Sequence, residues 1–272
     1  MTTWSLGSTL AALALLVPAA RAGEAPAAPA PAGAKKTYRV VFKTRIPAPP
    51  EGAKRLEAWV PTPRADDVQT VRDLKVDASV PYEVTHDPET GNRYVHLVVL
   101  DPKGEVTVDW RATVEKGVDA GEGKGPVSPE DLSSDALAKV DERAKRLAED
   151  IGATDASVPV RERAKRIYDH VLQSMAYDKT PGTGWGTGDF ERACEVGKGN
   201  CSDFTAKFVT LARAAGIPAR WSTSISLAAD HMECTACGYT CYAHYRDGDR
   251  WVPVLASDAR KVVAKDPKKA AW

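Results

Sequence analysis

The sequence predicts an α+β protein in two units, an antiparallel β-sandwich followed by a domain that mixes helices and strands. Two observations carry that prediction. From residue 37 to residue 117 apolar residues alternate or run in short blocks separated by Pro and Gly. Beyond the glycine-rich break Gly121–Gly125 they recur at helical spacing instead. A chain of 272 residues with 43% hydrophobic content can bury two modest cores, given domains of ~100–150 residues.

In the first unit, strands are expected at Tyr38–Thr44, Leu56–Val60, Arg93–Leu100 and Val106–Val114. The boundary falls between residues 117 and 127, and the second domain is placed at 128–272. There, Leu137, Val140, Ala144, Leu147 and Ile151 mark a helix over 135–151. Ala164, Ile167, Val171 and Met175 mark another over 160–175. A third starts near Cys201 and shows Phe204, Phe208, Leu211 and Ala215 on one face, with Gly216 and Pro218 as its stop. Strands follow at 219–227, 239–246 and 250–255.

Ahead of both units, the apolar run Leu10–Val17, the break at Pro18 and Ala20-Arg21-Ala22 read as a signal peptide over residues 1–22, cleaved after Ala22. Its first eight residues lack Lys and Arg, so an uncleaved anchor is the alternative. The run is under half of the ~20 residues that span a bilayer, so no stable membrane insertion is expected. Without a nearby Cys, lipid anchoring is not expected either. Residues 23–36, mostly Ala, Pro and Gly, form a linker. The mature protein is thus expected in the periplasm or secreted. Lys plus Arg and Asp plus Glu number 37 each, so no net field draws the chain to nucleic acid or an anionic surface.

Chemistry centres on Gly199-Asn200-Cys201-Ser202-Asp203-Phe204. It sets a thiol at a helix start, where unpaired N–H groups stabilise a thiolate and can double as an oxyanion hole. A buried structural cysteine is the competing reading. Tyr177-Asp178-Lys179, Gly184-Trp185-Gly186-Thr187-Gly188-Asp189, the Cys201 block, Leu211 to Arg220 and Trp251-Val252-Pro253-Val254 together resemble the bacterial transglutaminase-like superfamily. The N-terminal Trp59-Val60-Pro61 and Gly91-Asn92-Arg93 resemble the β-domain that precedes that core. The resemblance implies a papain-like core and a Cys, His, Asp triad for acyl transfer or amide hydrolysis on a peptide or protein, with Cys201 as nucleophile.

The other two triad positions depart from the family pattern. Thr240 stands where the resemblance expects His, and Leu255 where it expects Asp. Reading Asp247-Gly248 as the hairpin loop sets Arg246 opposite Asp249 and Thr240 opposite Leu255. His244 and Asp258 are the candidate substitutes, and His231 is a second candidate base for Cys201. At ~3.3 Å per strand residue His244 lies about 13 Å beyond the expected place, and Asp258 reads as part of a turn. The expectation is therefore a pseudoenzyme with weakened or lost activity, or a peptide- or cell-wall-binding protein in the old cleft. Family members continue with further strands past this point, so a chain stopping at Trp272 implies an exposed sheet edge or a shortened chain.

A second cluster, His231, Cys234, Cys237 and Cys241, has spacing compatible with a soft metal, or with a redox pair at Cys234 and Cys237. Oxidising surroundings favour disulfides, and two bridges among Cys194, Cys234, Cys237 and Cys241 leave Cys201 free. No cofactor is expected. Trp185 either lines a substrate groove or packs on the nucleophile helix.

Overall fold

The computed structural model describes residues 35–88, 90–117, 123–225, 227 and 239–266. Residues 1–34, which hold the expected signal peptide and most of the expected linker, and His231, Cys234 and Cys237 lie outside the described residues.

The first unit is a sandwich of two three-stranded antiparallel sheets. Strands β1 (Lys35–Ile46), β2 (Arg55–Thr62), β3 (Gln69–Ala78), β4 (Glu83–His86), β5 (Arg93–Leu100) and β6 (Val106–Gly117) assort in the orders β1-β6-β3 and β2-β5-β4. Val60, Val95 and Leu97 of one sheet meet Val106, Val108, Trp110 and Ala112 of the other in a single core. Strand β1 begins inside the span expected as linker, since Lys35 and Lys36 pair with Gly117 and Lys116, and Lys35 Nζ sits 3.0 Å from Glu115 Oε1. Strand β3 escaped the alternation test for a physical reason. Its inward residues run Val71, then Leu74, Val76 and Ala78, changing parity where the register against β6 shifts between Arg72 and Lys75. Asp73, at φ 56°, takes up that bulge.

The second unit contains α1 (Glu142–Asp150), α2 (Val160–Ser174), β7 (Ala176–Tyr177), α3 (Phe190–Val196), β8 (Lys198–Gly199), α4 (Cys201–Ala214), β9 (Ala219–Ile225), β10 (Tyr239–Asp247), β11 (Arg250–Val254) and α5 (Ala256–Lys265). The expected helix over 135–151 forms only in its second half. Asp135 accepts from Leu137 and Ala138 N–H, at 2.8 and 2.7 Å, and Ser134 from Val140 N–H at 2.9 Å. Those side chains claim the backbone donors that a helix would use, and the helix begins where Asp141 caps it through Ala144 N–H. Helix α3, too short to show a periodicity, runs from the Asp189 cap to Gly197 at φ 63°.

Helix α4 is central and buried from Cys201 to Arg213. It packs against the antiparallel sheet β11-β10-β9, with Phe208 facing Tyr245 at 6.3 Å between ring centroids. The hairpin β10–β11 corrects the expected register. Asp247 pairs with Arg250 and Arg246 with Trp251, so the loop is Gly248-Asp249, with Gly248 at φ 59° in the first loop position. His244 therefore faces Pro253, and β11 ends at Val254, opposite Ala243. The expected opposition of Thr240 and Leu255 is not made. Leu255 instead begins α5, and Asp258 stands in that helix's first turn rather than in a loop.

Candidate active site

Helix α4 starts at Cys201 because its cap is satisfied from both sides. The Asn200 side chain accepts from Ser202 N–H at 2.8 Å, and the buried Asp203 carboxylate accepts from Asn200 N–H at 2.9 Å, a reciprocal capping box. The same carboxylate reaches the glycine-rich loop, taking N–H bonds from Gly186 at 2.7 Å and Gly188 at 3.1 Å. One acid therefore fixes the thiol's helix and the loop beside it. Gly199 is required here, since a Cβ at that position would fall within 2.6 Å of Asp203 Cβ and Cγ. Gly188, at φ 66°, would bring a Cβ to 2.9 Å from the Trp221 ring.

The Cys201 thiol is 6% exposed, and the group it meets is another thiol. Cys241, 4% exposed, is hydrogen-bonded to it. Ser202 Oγ and Thr223 Oγ1 each lie 3.6 Å from Cys241 Sγ. Strand parity decides this meeting. Cys241, Ala243 and Tyr245 point toward α4, while Thr240, Tyr242, His244 and Arg246 point to the other face of the sheet. Thr240 is thus not the residue that confronts the nucleophile. Sequence reading missed Cys241 in this role because it was absorbed into the cluster with His231, Cys234 and Cys237. The available signal was the odd-numbered apolar run Ala243, Tyr245 on the same strand.

The pair shares one negative charge. Cys241 is pushed down to about 5, first because the Cys201 thiol donates to its sulfur; burial opposes, and Ser202, Thr223 and Trp221 add donors. Cys201 is driven up, first because its proton is held in that bond and next by burial. Lys179 and Lys261 extend positive charge toward the thiols. Lys261 Nζ bonds Asp258 Oδ1 at 2.5 Å and sits 4.6 Å from the Tyr177 ring centre. Trp185, in the glycine-rich loop, is 36% exposed, with Lys179 Nζ 5.8 Å from its ring centre.

His244 and Asp258 are not brought together. His244 Nδ1 pairs with Ser222 Oγ at 2.9 Å, away from Cys201, and Asp258 is engaged with Lys261. Burial, then the positive charges of Arg220, Arg64 and Lys116, hold the imidazole near 4. In the unfolded chain the same group takes its proton near 6.5. Between those values the unfolded state binds more protons, so stability is complete above pH 6.5 and drains as pH falls toward 4. Roughly 3 kcal/mol should be lost across that window. Urea midpoints measured from pH 7 to pH 4 should decline steeply in the native chain and much less in His244→Gln; parallel curves would show that His244 is not the titrating group.

Cys194 and Cys241, expected in disulfides, are free thiols, as is Cys201. Among the described residues no three His, Cys, Asp or Glu side chains gather as a metal site. Of the proposed ligand set only Cys241 is described, and its sulfur is turned to Cys201.

Residues 145–256 match the model of the transglutaminase-like superfamily, described as its core, so the segment from α1 to the start of α5 is a transglutaminase-like core. An uncharacterized protein of Haemophilus influenzae is 34% identical over 127 residues, which cover 39% of this chain and 34% of that one. The chain thus spans about a third of that curated relative's length. Among solved structures, a candidate cysteine protease from Cytophaga hutchinsonii superposes with a TM-score of 0.55 at 15% identity, covering 82% of this chain and 79% of the other. The periplasmic domain of TgpA from Pseudomonas aeruginosa gives 0.50 at 16% identity, covering 88% and 74%. These likenesses establish a shared fold. No helix among the described residues is long and apolar enough to cross a membrane.

Proposed function

We propose that this is an exported protein whose transglutaminase-like cleft receives a peptide or protein segment, including cell-wall peptide, while acyl transfer by Cys201 is weakened or lost. The observation that supports it is the thiol, rather than an imidazole, hydrogen-bonded to Cys201. Acyl transfer needs a base that removes the nucleophile's proton and returns it to the leaving amine. The thiolate of Cys241 holds that proton in a hydrogen bond and raises the cost of forming the Cys201 anion. His244, among the described residues, cannot protonate the departing amine, because it faces the opposite side of the sheet.

The exposed Trp185 and the cations Lys179 and Lys261 favour a segment that presents a carbonyl or carboxylate to the α4 N-terminus. The neighbouring TgpA domain is periplasmic by its description, which agrees with the signal peptide read from residues 1–22.

The test is turnover of a casein and amine pair and of peptide amides by the mature protein, beside Cys201→Ala. Equal traces are expected; product formation that disappears in Cys201→Ala would overturn the reading. A companion measurement addresses its cause. In Cys241→Ala the like charge and the acceptor are gone, so the Cys201 pKa should fall to or below ~8.5. Iodoacetamide labelling of Cys201 at pH 8, resolved by mass spectrometry, should then be at least about tenfold faster than in the native chain, as follows from a drop of one pKa unit or more. Unchanged labelling would show that Cys241 does not control the nucleophile.

A further inference from the structure

We infer that Cys201 and Cys241 form a redox dithiol that closes to a disulfide by exchange with small disulfides. It rests on the same facing thiols as the proposed function, but not on what the cleft binds. Three observations carry it. Cys241 points from β10 toward α4 and its Sγ lies 3.6 Å from the hydroxyl of Ser202, the residue that follows Cys201, so the two thiols face each other where an S–S bond of ~2.05 Å could close. Their elements are distant in sequence and held together, α4 packing on β10, the middle strand of its sheet, which keeps the pair from separating when reduced. Finally, Ser202 and Thr223 hydroxyls aim at Cys241 Sγ from the helix and from β9. They stabilise an anion on that sulfur, the form that attacks disulfides.

The chemistry balances without a metal or cofactor. The Cys241 thiolate attacks one sulfur of an external disulfide, forming a mixed disulfide and expelling one thiolate. Cys201 then gives its proton to the medium or to that thiolate and attacks Cys241 Sγ, expelling the second. Two protein thiols are oxidised and one external disulfide is reduced to two thiols. The closed form has no free Cys201, so oxidation also removes the cleft's nucleophile.

The experiment treats the reduced, mature protein with oxidised glutathione over a range of ratios to glutathione, quenches with acid, alkylates, and maps cysteine peptides. Free Cys201 and Cys241 should vanish in parallel, one for one, as a Cys201–Cys241 linked peptide rises and Cys194 stays alkylatable. Cys201→Ser should trap glutathione on Cys241. A bridge from Cys241 to Cys234 or Cys237, a glutathione adduct persisting on Cys201 alone, or two thiols that stay free at every ratio would each overturn the inference. None of these outcomes depends on turnover or peptide binding, so failure here is distinguishable from failure of the proposed function.

Discussion

Replacing Asp203 with Ala should destabilise the protein by about 3–5 kcal/mol, read as a fall in the urea midpoint. The side chain is fully buried, and its two oxygens serve three backbone N–H groups, from Gly186, Gly188 and Asn200, as well as the Thr187 hydroxyl at 3.4 Å. Hydrogen bonds to a charged acceptor contribute about 1.5–3 kcal/mol each, and orphaned buried donors cost more than a missing contact would. The three are not additive, because the loop 182–188 can turn some donors to water once released. Asp203→Asn is no remedy, since its amide NH2 would confront N–H groups that need an acceptor. The loss should also reach the site, as the acid holds the α4 start against the glycine loop. A destabilisation under about 1 kcal/mol would mean that the loop and the helix cap are held by other contacts.

The second large effect is expected at Trp251, whose replacement by Ala should cost about 3–5 kcal/mol in the same assay. The indole is 0% exposed, the Arg220 guanidinium lies 3.9 Å from its ring centre, and its N–H donates to Gly125 O at 2.9 Å. Its backbone exchanges hydrogen bonds with Gly123 as well. Trp251 thus fastens the segment after the sandwich onto the sheet face that carries His244. Opening that face admits water to the imidazole, and burial is the chief reason for its depressed pKa. The His244 pKa should therefore rise from about 4 toward 6.5 in Trp251→Ala, observable by NMR titration of the ring. A destabilised variant with His244 still near 4 would show that the seal is made elsewhere.

Much of this molecule is legible in its residues. The sandwich strands at 93–100 and 106–114, helix α2, and helix α4 with its cap are set by local patterns: alternation, 3.6-residue spacing, and Asn200 followed by Asp203 at the third helical position. Cys201 at a helix start is likewise a local fact. What local pattern could not fix has a common physical origin in choices made between segments. The bulge at Asp73 hid β3 by changing its parity against β6. Asp135 and Ser134 diverted seven residues from a helix by taking their backbone donors. Gly248 rather than Asp247 opened the hairpin loop, moving every partnership on β10 by two places.

The site divides along the same line. By itself the sequence determined the order of units, the transglutaminase-like character of the core and the thiol at the head of α4, because each depends on residues adjacent in the chain. Only the tertiary structure decided which side chain that thiol meets. Facing is a property of strand parity, register and the packing of α4 on β10, and it turns Cys241 inward to Cys201 while carrying His244 to the opposite face.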